Sequence, residues 1–166
     1  SMEPLSPVPE TIDSITINNR VRRSIDAALS ALRIFSAERN TRLAAAVDLQ
    51  NRSNEDLLPL LGKALEKETD ADIQFALRQA QAGILLKAAD STTRLNAVHT
   101  LGESARSETK AMLSARLEQD AAGAYAEGDE RVRAAITRSI AQIDGRLAVG
   151  EYLGRVFSGI SLGSIL

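Results

Sequence analysis

SAERNTRLAAAVDL (36–49) and AADSTTRLNAVHTL (88–101) are one pattern written twice, 52 residues apart. At the same offset VRRSIDAALSALRIF (21–35) lies over IQFALRQAQAGILLK (73–87), with coinciding apolar positions. An internal period of this size is the signature of stacked helical units, each burying its apolar stripe against its neighbours. The repeat therefore predicts an all-α solenoid of about seven helices with antiparallel neighbours. A third partial copy, VRAAITRSIAQI (132–143), echoes the start of the earlier long helices.

Working outward, the unit reads long helix, short helix, short helix. The first helix is expected over about 20–35, with Val21, Ile25, Ala28, Leu29 and Leu32 on one inward stripe. The second is expected over about 41–51, capped by Asn40, with Leu43, Ala46 and Val47 inward. A third over 55–67 has Asn54 as its cap, Pro59 in its first turns and an inward face of Leu57, Leu58, Leu61 and Leu65. The fourth, 71–88, is capped by Asp70 and faces inward with Ile73, Leu77, Ala80 and Ile84.

The fifth spans about 93–104 with Leu95, Val98 and Leu101. The sixth spans 107–119, capped by Ser107, with Met112, Leu113 and Leu117. A connection seven residues longer than its counterpart follows, DAAGAYAEGD (120–129), before a seventh helix over 130–149 with Val132, Ile136, Ile140, Ile143 and Leu147 inward. Residues 1–18 form a lead-in in which Pro4, Pro7 and Pro9 block a helix, 19–150 the repeat domain, and 151–166 an apolar tail.

Composition narrows the function. The 166 residues are 44% hydrophobic but only 3% aromatic, without Trp, so the core is built from Ala, Leu, Ile and Val. A net charge of −2 gives no global pull toward nucleic acid, and no aromatics interleave the arginines to stack bases. With no Cys and a single His, a thiolate or histidine-rich metal site has no ligands. No metal, cofactor or catalytic set is expected. No signal peptide is visible, and Ser1-Met2 reads as a cloning remnant.

His99 takes the place of Val47 in the repeat and reads as an ordinary surface or half-buried residue. Glu66, Glu68, Asp70 and Asp72 cluster at one junction, where capping and the helix dipole explain them better than acid–base chemistry; Asp90, Asp129 and Glu130 sit at similar junctions. Arg42 and Arg94 recur at matching positions, which suits a bond to a loop carbonyl or carboxylate that serves the repeat. Residues 20–42 are basic, and Arg20, Arg22 and Arg23 make a candidate partner-facing patch.

The pattern TRLAAAVDL…LLPLLGKALEKETDADIQFAL…TRLNAVHTLGES…DERVRAAITRSI resembles HEAT/armadillo-like repeats. INNRVRRSIDAALSALRIFSAERNTRLAAA, followed by LGRVFSGISLGSIL, resembles the N-terminal extramembrane region of the permease subunit of bacterial urea ABC importers, in the branched-chain amino-acid transporter family. That resemblance implies a periplasmic, non-enzymatic domain that contacts the substrate-binding protein or stabilises the assembled transporter. It also implies that the sequence is cut at both ends, with Phe157, Ile160, Leu162, Ile165 and Leu166 at the membrane junction. The uncharged stretch from Val156 is too short to cross a bilayer, which takes about 20 residues. It would offer a fragment a surface for self-association. The alternative is a soluble HEAT-type adaptor whose tail closes the solenoid.

Overall fold

The computed structural model describes residues 22, 25, 28, 29, 32–52 and 54–163, those after 153 as backbone only. Described residues 22, 25, 28, 29 and 32–34 are helical and belong to the expected first helix. Then follow α1 (Arg39–Leu49), a 3₁₀ turn (Glu55–Leu57) running into α2 (Leu58–Lys67), α3 (Ala71–Leu85), α4 (Ser91–Leu101), α5 (Ser107–Ala115) and α6 (Glu130–Gly163). No strand occurs among the described residues; one isolated bridge joins Gln119 to Tyr125.

Local chemistry starts most of these helices where expected. Asp70 accepts from the backbone N–H groups of Asp72 and Ile73, satisfying donors that a helix start leaves orphaned. The Asn54 side chain accepts from Asp56 N–H, and Asp90 from Thr93 N–H. Two expected caps are corrected. Asn40 lies inside α1, whose N-cap is Glu38; Ser107 is the first residue of α5, whose N-cap is Arg106. Neither N-cap uses a side-chain bond, and α1 is secured by Arg42 instead, as described below.

The core divides into two clusters that share α3. Ile73, Ala76, Leu77, Ala80 and Ile84 pack with Ala45, Ala46 and Leu49 of α1 and Leu61 and Ala64 of α2. Ala82 and Leu86 join Val98, Leu101, Leu113, Val132, Ile136 and Ile143 in the other. A helix buried nearly all round is a central one, and α3 is that helix. The packing pairs recur: α3 touches α1 and α2, and α6 touches α4 and α5 in the corresponding way.

Some inward assignments do not hold. Ile25, Ala28, Leu29 and Leu32 are exposed, as is Val47; the remaining member of that stripe, Val21, lies outside the described residues. On α1 the buried face is Ala45, Ala46 and Leu49, one position away from Val47.

The last helix is the largest departure. Instead of ending near 149, α6 runs unbroken for 34 residues to Gly163. Gly150 and Gly154 weaken a helix by about 1 kcal/mol each relative to Ala, but neither removes a hydrogen bond as proline does. Residues 148–153 are all exposed.

Candidate functional site

The most constructed feature of the molecule is a recurring guanidinium clasp. Arg42 Nη1 donates to the carbonyls of Ser36 and Ala37, both at 3.0 Å, closing the chain onto the start of α1. Its Nε reaches Glu68 Oε2 at 2.7 Å, across to the junction before α3. Arg94 repeats this: Nη1 donates to Ala88 and Ala89 carbonyls at 2.9 and 2.7 Å, and Nε and Nη2 grip Glu127 at 2.9 and 2.8 Å. The planar fork of arginine allows both tasks at once; the point charge of lysine does not.

The long helices use half of the device. Gln74 donates to the Glu68 carbonyl at 2.6 Å, and Arg133 to the carbonyls of Glu127 and Gly128 at 3.0 and 2.9 Å. Four helix starts are therefore tied by the residue four places past the cap.

Each acid at the far end of the clasp does a second job. Glu68 Oε1 accepts from the backbone N–H groups of Thr69 and Asp70, and Glu127 Oε1 from that of Asp129. Glu127 also meets Arg116 Nη2 at 3.2 Å and is 0% exposed. Burial pushes its carboxyl up, but Arg94, the Asp129 amide and Arg116 together outweigh this and hold it at about 2. Glu68 is held below its usual range, chiefly by Arg42. Asp70 is lowered chiefly by its bond to Arg39, Asp90 by Thr93 and Asp129 by Arg131.

These carboxylates are ionised at neutral pH and occupied by donors. Asp70 and Asp72 both bind Arg39, at 2.7 and 2.6 Å. None of Glu68, Asp70 or Glu127 is arranged to release or take a proton on behalf of a substrate. Among the described residues no group of three or more His, Cys, Asp or Glu could hold a metal ion. His99 is exposed on α4, at the position equivalent to the exposed Val47.

The longer connection before α6 is a small hairpin. Ala126 N–H bonds to the Glu118 carbonyl and Asp120 N–H to that of Ala124, both at 2.9 Å. Asp120 Oδ1 receives the N–H groups of Ala122 and Ala124, and Gly123 takes φ +81°, where a Cβ would be strained. The hairpin returns to Glu127, so the acid reaches Arg94 despite the added residues. Glu68-Thr69-Asp70 and Glu127-Gly128-Asp129 are the same motif 59 residues apart, not 52. That spaced Glu-x-Asp was the available signal for the clasp acids, hidden by the shift in register.

The expected basic stretch is only partly free. Arg39 and Arg42 are committed to acids, while Arg22 and Arg33 are exposed. Arg20 and Arg23 lie outside the described residues. Phe157, Ile160 and Leu162 lie on the backbone of α6, and Ile165 and Leu166 outside the described residues. Among the described residues no helix is long and apolar enough to cross a membrane. A surface cleft of about 230 Å³ between α3 and α4 is lined by Arg78, Gln81, Leu85, Thr93, Asn96 and Thr100, among others.

The chain matches no known protein-family profile, no curated protein and no solved structure.

Proposed function

We infer that this chain is a non-catalytic HEAT/armadillo-like helical-repeat domain, from the periplasmic side of a bacterial urea-type ABC permease. Its task is to contact the substrate-binding protein or to stabilise the transporter assembly. The repeat part of this reading is supported by the clasp of Arg42 and Arg94 and by the matching packing of α3 and α6. The transporter part is carried by the sequence resemblance of INNRVRR and FSGISLGSIL. The exposure of residues 148–153 supports it, because α6 leaves the bundle instead of folding back over its end.

The test is binding of the cognate substrate-binding protein, with and without urea, to this domain held beside its membrane core in a nanodisc. Saturable binding that is lost when residues 19–150 are removed is the expected result. No interaction at high micromolar concentration removes the docking role.

A soluble HEAT-type adaptor is the second reading. What favours it is the core, in which Ile143 is the last buried residue among those whose burial is described, up to Leu153. The reading frame after Leu166 separates the two: about ten further apolar residues favour the permease, and a stop or charged sequence the adaptor.

A further inference from the structure

Between α3 and α4 the repeat keeps its floor and changes its polar lining. The cleft of about 230 Å³ there rests on Ala82, Leu85 and Ala97, the two alanines each 4% exposed. Ala97 has Ala45 as its counterpart 52 residues earlier, so the close approach of the two helices belongs to the repeat. The lining above it does not recur. Arg78, Gln81, Asn96 and Thr100 stand where the first helix pair has Asp26, Leu29, Ala44 and Asp48. The charge is reversed in sign, so these residues are not what the packing of a long helix on a short one requires.

The lining is also uncommitted. Among the described residues the side chains of Arg78, Gln81 and Asn96 have no partner, whereas Arg39, Arg42 and Arg94 are all held by acids. No Asp or Glu lines the cleft. Asp90, three residues before Thr93, accepts from the Thr93 N–H and hydroxyl at 2.7 and 2.8 Å and is occupied by them. The walls are set in advance: Gln79, 3% exposed on α3, donates to the Thr100 carbonyl at 2.6 Å and fixes α3 against α4. A site whose walls are held by the fold has little ordering to lose when it is filled.

We propose that this cleft binds one carboxylate carried on a short aliphatic stem. Arg78 supplies the charge and a planar fork that matches a carboxylate, Gln81 and Asn96 supply amide donors, and Ala82, Leu85 and Ala97 take the stem. A single guanidinium suits a monoanion; a phosphate dianion would keep a charge unmet. The volume lies below the roughly 300–1,000 Å³ of pockets for drug-sized ligands, and it suits one small acid or one side chain. The carboxylate comes from a free short-chain acid or from a glutamate of a peptide. None of these residues lies in the stretches that carry the transporter resemblance, so the binding protein's failure to dock would leave this site untouched.

The test is a titration of the whole ¹⁵N-labelled chain with sodium butyrate at constant ionic strength, read by amide shifts. Saturable shifts confined to 78–85 and 93–100 are expected, with butyramide, the same stem without charge, moving neither segment. Arg78→Gln should weaken binding by at least about tenfold. Arg78→Asp with Thr100→Asp gives the cleft the charges of the first pair; it should abolish the shifts while Tm stays within about 2 °C. A capped tripeptide with glutamate at its centre separates the two sources: tighter binding than butyrate assigns a peptide, weaker binding a free acid. No saturable shift with either probe overturns the proposal. So do equal shifts from butyramide, tighter binding of inorganic phosphate, or binding unchanged in Arg78→Gln.

Discussion

At the scale of single residues, Glu127 carries the most. It is wholly enclosed, yet it is the shared acceptor of Arg94, Arg116 and the Asp129 amide. Removing one partner leaves a buried charge uncompensated, so Arg94→Ala should cost about 3–5 kcal/mol in chemical denaturation. Arg94→Lys should recover little, since one ammonium cannot both tie the two carbonyls and meet the carboxylate in a fork. Arg42→Ala should cost less, because its own side chain is 21% exposed and that of Glu68 7%. The pH dependence has a definite sign. Glu127 sits at about 2 when folded, below its ordinary 4.5. Its contribution, of order 3 kcal/mol, is complete above pH ~4.5 and is lost as pH falls toward 2. A pH series of unfolding midpoints should show that loss, and Glu127→Gln should flatten it. The arginines were legible as repeat residues from their 52-residue spacing alone. Their acids were not, because a seven-residue insertion moved Glu127 out of step with Glu68.

Between elements, two contacts decide how the helices approach. Gly102 ends α4 against α6, where an added Cβ would stand 3.0 Å from Ser139 Cβ and 2.6 Å from its Oγ. Ser139 is buried and donates to the Val98 carbonyl, so it cannot swing clear without losing that bond. Gly102→Ala should therefore destabilise by about 1–3 kcal/mol, measured in urea. The hairpin is the opposite case. Its two arms meet at the Ala126–Glu118 bond, so excising 119–125 joins positions already adjacent and returns the two clasp acids to a 52-residue spacing. Stability should stay within about 1 kcal/mol, since loop length has a weak entropic effect. A broad, non-cooperative transition in that variant would show the hairpin to be part of the core. Helix existence was readable from the apolar period, and the caps Asp70 and Asn54 from residue type. The end of α6 was not: the repeat pattern gives way after Gly150, but a glycine stops a helix only when the backbone has somewhere better to go. Val47 was misplaced for a related reason. The period gives a stripe's width, whereas packing against α3 selects which edge of it is buried.

For the whole molecule, the two core clusters joined through α3 imply one cooperative unit. Leu77→Ala should weaken it throughout, by about 2–5 kcal/mol. Deleting 156–166 should leave the helical content before Gly150 nearly unchanged in far-UV circular dichroism, because Ile143 is the last buried residue among those whose burial is described, up to Leu153. Loss of cooperative unfolding on that deletion would make the tail integral.

The placement of the tyrosines has a consequence of another kind. Tyr125 lies on the hairpin, its ring 4.7 Å from the Arg133 guanidinium, and Tyr152 stands 69% exposed on the outer run of α6. With no tryptophan in the chain, neither tyrosine lies within the buried clusters. The interior is therefore optically silent. Intrinsic emission from this protein reports its hairpin and its projecting helix, and the core could come apart or tighten with little change in colour.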